Sequence, residues 1–130
     1  MNRTWARLGA ICYVIWGLLH LKAAYSVYQV GAAIPTGMVQ GRLYQDAWNL
    51  LFFAIAAIGL ACTLNWRGSR WGFWINLGVI LLADTGFIFF VLIPGFMGWW
   101  PGVLGPVFWI AGWIFTGLGL DRRVSATAMP

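Results

Sequence analysis

The sequence predicts an all-α integral membrane protein, a bundle of four transmembrane helices with both termini on the cytoplasmic side. Three observations support this fold class. The chain of 130 residues is 62% hydrophobic and 8% charged, whereas a soluble domain carries about 25% charged residues. Its apolar residues form four long runs, and its arginines lie at the ends of those runs. The length predicts one domain, covering residues 1–130.

Each apolar run is long enough for a membrane helix, which needs roughly 20 residues. The predicted helices cover residues 8–30, 43–64, 71–93 and 103–120. The runs do not alternate between polar and apolar residues as membrane β-strands do. In hydrocarbon, a continuous apolar segment must satisfy its own backbone hydrogen bonds, which a helix does. The segments between the runs are rich in glycine, proline and polar residues, which favour turns: GAAIPTGMVQG, NWRGSR and PGFMGWWPG.

The distribution of basic residues predicts the orientation. Six arginines lie on the side of the membrane that holds both termini and the connection between the second and third helices: Arg3, Arg7, Arg67, Arg70, Arg122 and Arg123. The opposite side has Lys22 and Arg42. Because cytoplasmic segments are enriched in Lys and Arg, we expect both termini in the cytoplasm of a bacterial-type inner membrane. The net charge of +5 forms no basic patch, so no nucleic-acid partner is expected.

Polar residues of three helices converge at one depth. A rise of about 1.5 Å per residue places His20 and Asp84 roughly 18–20 Å from the cytoplasmic face. Asn49 then lies in the same outer half of the bilayer core. Placing a charged residue at the centre of a membrane helix costs about 2.5–3.5 kcal/mol, so such residues are candidates for function. We therefore predict His20 and Asp84 as a catalytic acid–base pair, with a structural hydrogen bond between helices as the alternative.

Aromatic residues share the helix faces of this pair and predict a pocket around it. A cavity with apolar walls and a few polar groups is typical of a site for a hydrophobic small molecule, although the same residues would also suit a plain core. Arg42 and Asp46 are expected at the mouth of the pocket. The predicted substrate-binding residues are Tyr13, Trp16, Asn49, Phe53, Phe87, Trp109 and Trp113.

The sequence offers no motif for a metal or a cofactor. It has one histidine and two cysteines that do not form a CxxC pair, which does not support a zinc or redox site. It also lacks a glycine-rich phosphate loop, a GxSxG elbow and an HExxH motif. We therefore expect neither a metal nor a cofactor.

Three functions are compatible with these features. The leading hypothesis is a membrane-embedded protein that binds a terpenoid-, steroid- or quinone-like molecule and acts on it by acid–base catalysis, as a cofactor-independent isomerase or cyclase. The first alternative is a small proton-coupled transporter that works as an oligomer, because a carboxyl group within a membrane span is a common proton-coupling device. The second alternative is a non-catalytic accessory or lipid-binding subunit. The expected partners are the lipid bilayer and a hydrophobic small molecule, with a homo-oligomer as a further option.

Overall fold

A computed structural model describes the chain from residue 2 to residue 120, and its regular structure over that range is helical. Arg122 and Arg123, which contribute to the predicted orientation, lie outside the described residues. The long elements are α1 (Asn2–Ala32), α2 (Met38–Thr63), α3 (Arg70–Phe87) and α5 (Leu104–Leu118), with a short α4 at Trp99–Gly102. A 3-10 turn at Asn65–Arg67 follows α2, and a π-helical turn at Ile88–Leu92 continues α3.

Three of the helical segments are long and apolar enough to cross a membrane. They cover Arg3–Ala32, Met38–Arg67 and Arg70–Leu92. Helix α5 is also apolar but has 15 residues, which gives it a length of about 22 Å at the usual rise. This is shorter than a hydrocarbon core of about 30 Å. The all-helical class therefore agrees with the sequence prediction, and three segments have the length and apolar character that crossing a membrane requires.

The first connection is shorter than the sequence predicts. Helix α1 continues to Ala32 and α2 begins at Met38 instead of residue 43, so Gly41 lies inside a helix. The side-chain amide of Gln40 donates hydrogen bonds to the carbonyl oxygens of Gly31 (3.1 Å) and Ile34 (3.3 Å). These bonds satisfy carbonyl groups that the end of α1 leaves without an intrahelical partner. A side chain from α2 therefore stabilises the end of α1, which glycine and proline content does not reveal.

The connection between α2 and α3 is the tight polar turn that the sequence predicts. Gly68 has a φ of 72°, a left-handed conformation that favours glycine. Ser69 precedes α3, and its hydroxyl oxygen accepts a hydrogen bond from the backbone N–H of Gly72 at 3.4 Å. This is the usual role of serine at a helix N-terminus.

Hydrogen bonds of two buried asparagines connect α3 to the end of α2 near this turn. The Asn76 side-chain amide donates to the Asn65 side-chain oxygen at 3.1 Å and to the Ala57 carbonyl at 3.4 Å. Both asparagines are buried, and buried polar groups of this kind require partners. The two helices are therefore held together close to the turn that joins them.

Helix α1 lies against two neighbours, α2 and α5, and α3 packs against the same two helices. The approach of α1 to α5 is close because Gly9 faces the α5 backbone. A Cβ atom at Gly9 would lie 2.6 Å from the Thr116 nitrogen and 2.9 Å from the Gly112 oxygen. Glycine at such a crossing allows helix backbones to approach. The core beside this contact is built around three fully buried side chains: Tyr13, Trp16 and Ile80.

Gly9→Ala should therefore destabilise the protein. The added methyl group meets α5 backbone atoms that cannot move without shifting the helix, and such overpacking costs about 1–3 kcal/mol. The control is Gly59→Ala in α2, where a Cβ would have no atom within 4 Å. Because Ala is favoured over Gly within helices, this control should be neutral or stabilising. The free energy of unfolding of each variant is measured in detergent. Equal values for the two variants would contradict the close α1–α5 contact.

Candidate functional site

The structure brings His20 of α1 and Asp84 of α3 together inside the protein. Asp84 is fully buried, with 0% of its surface exposed. The distance between His20 Nε2 and Asp84 Oδ1 is 3.4 Å. This is longer than the roughly 2.7–2.9 Å of a strong charge-assisted hydrogen bond. The two groups are therefore in contact but not tightly bonded.

Trp16 holds the carboxyl group of Asp84 in place. Its indole N–H lies 3.1 Å from Oδ1 and 3.0 Å from Oδ2, so it donates to both oxygens. The same indole ring stacks on the imidazole of His20, with ring centroids 3.7 Å apart and an interplanar angle of 22°. The sequence predicts that Trp16 lines the pocket and binds substrate. In the structure it is instead the hydrogen-bond partner of Asp84 and the support of His20.

A hydrogen bond to the backbone fixes the orientation of the His20 imidazole. His20 Nδ1 donates to the backbone carbonyl of Trp16 at 2.9 Å, because a carbonyl oxygen can only accept. The other nitrogen, Nε2, faces Asp84. The hydrogen bond therefore places a proton on Nδ1 and leaves Nε2 as the nitrogen in contact with the carboxyl group.

A cavity of about 730 Å³ lies beside His20. Five of the residues predicted for the site line it: His20, Asp46, Asn49, Phe53 and Phe87. Asp84 is fully buried and is not a lining residue. Of the predicted pair, His20 is thus the side chain that a ligand in the cavity can touch.

Other predicted residues lie away from the cavity. Tyr13 is fully buried and packs on Gly112, where a Cβ would lie 2.7 Å from its ring. Trp109 is half-buried against the hydrophobic core. Trp113 is 44% exposed on the outside of α5. The cavity lining therefore includes neither of the two α5 tryptophans that the sequence predicts for it.

One of the two residues predicted for the mouth of the pocket, Asp46, lines the cavity, and the other, Arg42, does not. Asp46 lines the exposed rim of the cavity, but Arg42 is not among the lining residues. The Arg42 guanidinium donates a hydrogen bond to the side-chain oxygen of Gln45 at 2.9 Å. Arg42 is therefore engaged along its own helix, and Asp46 contributes to the rim without it.

Several lining residues were not predicted for the site. Lys22 and Ser26 of α1 extend the rim, and Gly86 of α3 and Gly105 of α5 form part of the wall. On an ideal helix Lys22 is rotated about 200° from His20, and yet both residues line the cavity. The four-residue spacing of Lys22 and Ser26 was the available sequence signal.

Within the part of the chain from residue 3 to residue 120, the structure contains no cluster of three or more His, Cys, Asp or Glu side chains that could hold a metal. Comparison of the chain with protein-family models, with curated proteins and with solved structures finds no match. The function is therefore argued from the geometry of the His20–Asp84 pair and its cavity.

Trp16→Phe should lower the free energy of unfolding more than Trp109→Phe does. The first change removes the indole donor from a buried carboxyl group, which costs about 1–3 kcal/mol. The second removes a buried indole N–H that has no hydrogen-bond partner in the described structure, so no bond is lost. Both variants make the same reduction in side-chain size. Equal destabilisation in detergent unfolding would show that the Trp16–Asp84 bond contributes nothing beyond ring volume.

Proposed function

We propose that the protein binds a terpenoid-, steroid- or quinone-like molecule in the cavity and that His20 acts on it by acid–base catalysis of the isomerase or cyclase type. One observation carries the proposal: an imidazole in contact with a buried carboxyl group forms part of the wall of a largely apolar cavity. Apolar cavities with a few oriented polar groups are typical ligand sites, with volumes of roughly 300–1,000 Å³. The observed volume of about 730 Å³ falls within this range.

The chemistry needs no cofactor. In an isomerisation that shifts a double bond, a proton is added to one carbon and another proton is removed from a second carbon. Nε2 of His20 is the group that exchanges the proton with the ligand, because Nδ1 is bonded to the backbone. Asp84 acts through the imidazole, since it balances the charge of the protonated ring and orients Nε2. The long contact of 3.4 Å between them allows Nε2 to change partner.

The proposal includes a bundle of four membrane-spanning helices, with both termini in the cytoplasm of a bacterial-type inner membrane. The packing of α1 and α3 on the same two neighbours, α2 and α5, supports a ring of four helices. Contacts at one end also support it: the Arg7 guanidinium lies 5.4 Å from the Trp66 ring centroid, and Gly119 lies against Ala6. The arginine-rich ends thus lie together, as the positive-inside rule requires.

Binding is tested by extracting the lipids that remain with the protein after purification in mild detergent and identifying them by mass spectrometry. We expect a retained terpenoid-, steroid- or quinone-like compound. Gly86→Leu should reduce its amount about tenfold or more, equivalent to about 1.4 kcal/mol of binding energy, because the new side chain enters the cavity.

The matched control for this experiment is Gly78→Leu, on the same helix and outside the cavity lining. A Cβ at either glycine would have no atom within 4 Å, so both variants should fold. Equal retention by wild type and both variants would show that the compound binds elsewhere, and the absence of any retained lipophile would reject the binding proposal.

Catalysis is tested by incubating the identified compound with vesicle-embedded protein and following its conversion by mass spectrometry. His20→Ala should abolish conversion. Asp84→Asn should reduce it by about 10²–10⁴-fold, the usual contribution of acid–base groups, while the neutral amide still accepts from Trp16. Conversion that is unchanged in both variants would reject the catalytic role and leave a binding protein. Proton flux into vesicles without conversion would favour the transporter.

A further inference from the structure

We propose that the ligand is a bilayer amphiphile with a single chain or ring, and that it enters the cavity sideways from the lipid through a gap between α2 and α3. This inference rests on the proposed function, because it concerns the same cavity. It adds the route by which the ligand enters, and it restricts the possible ligands by their size and polarity. Four observations support it: the lining of the cavity by the facing sides of the two helices, the exposure of their edges, the close approach of α5 and α4 to the core, and the polar rim.

The faces of α2 and α3 that meet near the turn separate farther along. Asn76 of α3 reaches the Ala57 carbonyl of α2. Two residues that are seven positions apart on an α-helix, about two turns, lie on the same face of that helix. Leu50 lies seven residues before Ala57, and Ala83 lies seven residues after Asn76. Both line the cavity, so the space between the helices opens where the same two faces continue away from the turn.

The edges of this gap are exposed on the outside of the protein. Leu82 and Phe90 are 73% and 76% exposed, and Asn49 is exposed on α2. All three also line the cavity. Residues that border a cavity and are at the same time largely exposed mark the place where it opens. In a membrane these apolar edges face acyl chains.

Helices α5 and α4 approach the core closely. A Cβ at Gly105 would lie 3.2 Å from His20 Cε1, so α5 lies directly against the imidazole. A Cβ at Gly102 would lie 2.6 Å from Leu92 Cδ2, so α4 lies against the turn that continues α3. On the α4 side the lining residue Met97 is 44% exposed, less than Leu82 and Phe90, and the widest opening is therefore assigned to the side of α2 and α3.

The rim of the cavity is polar, and its interior is mostly apolar. Lys22, Ser26, Asp46 and Asn49 are exposed and line one part of the cavity. Among the described residues, the ion pair that the structure contains is that of His20 with Asp84, so neither Lys22 nor Asp46 is neutralised by the other. A ligand with one polar end can place that end among these groups and its apolar part beside His20.

The volume limits the size of the ligand. A cavity of about 730 Å³ lies in the range of sites for drug-sized molecules, roughly 300–1,000 Å³. This suits one chain or one ring system and not a complete two-chain phospholipid. A single-chain isoprenoid alcohol has the required apolar body and hydrogen-bonding end, and it serves as the probe.

The experiment is photolabelling of the full chain in phosphatidylcholine vesicles that contain an isoprenoid alcohol bearing a diazirine. Adducts are located by mass spectrometry after irradiation. We expect adducts inside the gap, at Ala83 and Phe87, as well as on the outward-facing Phe52. Leu82→Trp should reduce the interior adducts several-fold because it narrows the gap, whereas Leu81→Trp, outside the cavity lining, should not. Adducts at Phe52 should be unchanged in both.

Two results would overturn the inference. A charged, water-soluble diazirine that labels Ala83 and Phe87 when the isoprenoid probe does not would show that the cavity opens to water. The second result is labelling by the isoprenoid probe at Phe52 alone. If the same wild-type protein retains a lipophile that Gly86→Leu displaces, this result would reject the lateral route and leave the proposed function intact. If the purified wild-type protein retains no lipophile, the proposed function itself fails.

Discussion

The structure depends on one polar contact across its interior. Helices α1 and α3 both pack on α2 and α5, and Trp16 and His20 of α1 reach Asp84 of α3 from the other side of the core. An isolated carboxylate in this apolar core would be costly, because unpaired buried charges lose their hydration without compensation. The indole N–H and the imidazole supply that compensation. The same contact therefore positions α3, fixes the depth of the site and brings the imidazole to the wall of the cavity.

The cavity follows from an asymmetry in how closely the helices approach. Gly9 and Gly112 allow α1 and α5 to pack with their backbones close together. Large side chains, Trp16 and Ile80, fill the core between α1 and α3, and these two helices cannot approach in the same way. Helix α3 is hydrogen-bonded to α2 near their connecting turn, and Leu50 and Ala83, two turns farther along the same faces, line the cavity. Small residues thus mark the close α1–α5 contact, and large side chains mark the wider spacing of α1 and α3.

The sequence predicts the long helices and the common level of His20 and Asp84 within the protein, because both depend on local rules: continuous apolar runs and a fixed rise per residue. It does not predict that Trp16 binds the carboxyl group, since an aromatic residue on an interior face can be a wall or a donor. The outward position of Trp113 was also not predictable, because α5 is apolar on nearly all sides and its pattern does not define an inward face. The end of α1 depends on Gln40, a contact across a loop.

The geometry of His20 shows how a polar pair is held in place within an apolar core. Its Nδ1 is fixed by the Trp16 carbonyl and its plane is fixed by stacking on the Trp16 ring, so the imidazole cannot turn to another orientation without losing both contacts. Its other nitrogen, Nε2, faces the buried carboxyl group at 3.4 Å. Asp84 is thus accompanied by two groups of α1, the indole N–H and the imidazole, which lower the cost of burying a polar carboxyl group. Under the proposed acid–base chemistry, the fixed ring would reduce the reorganisation that a reaction requires.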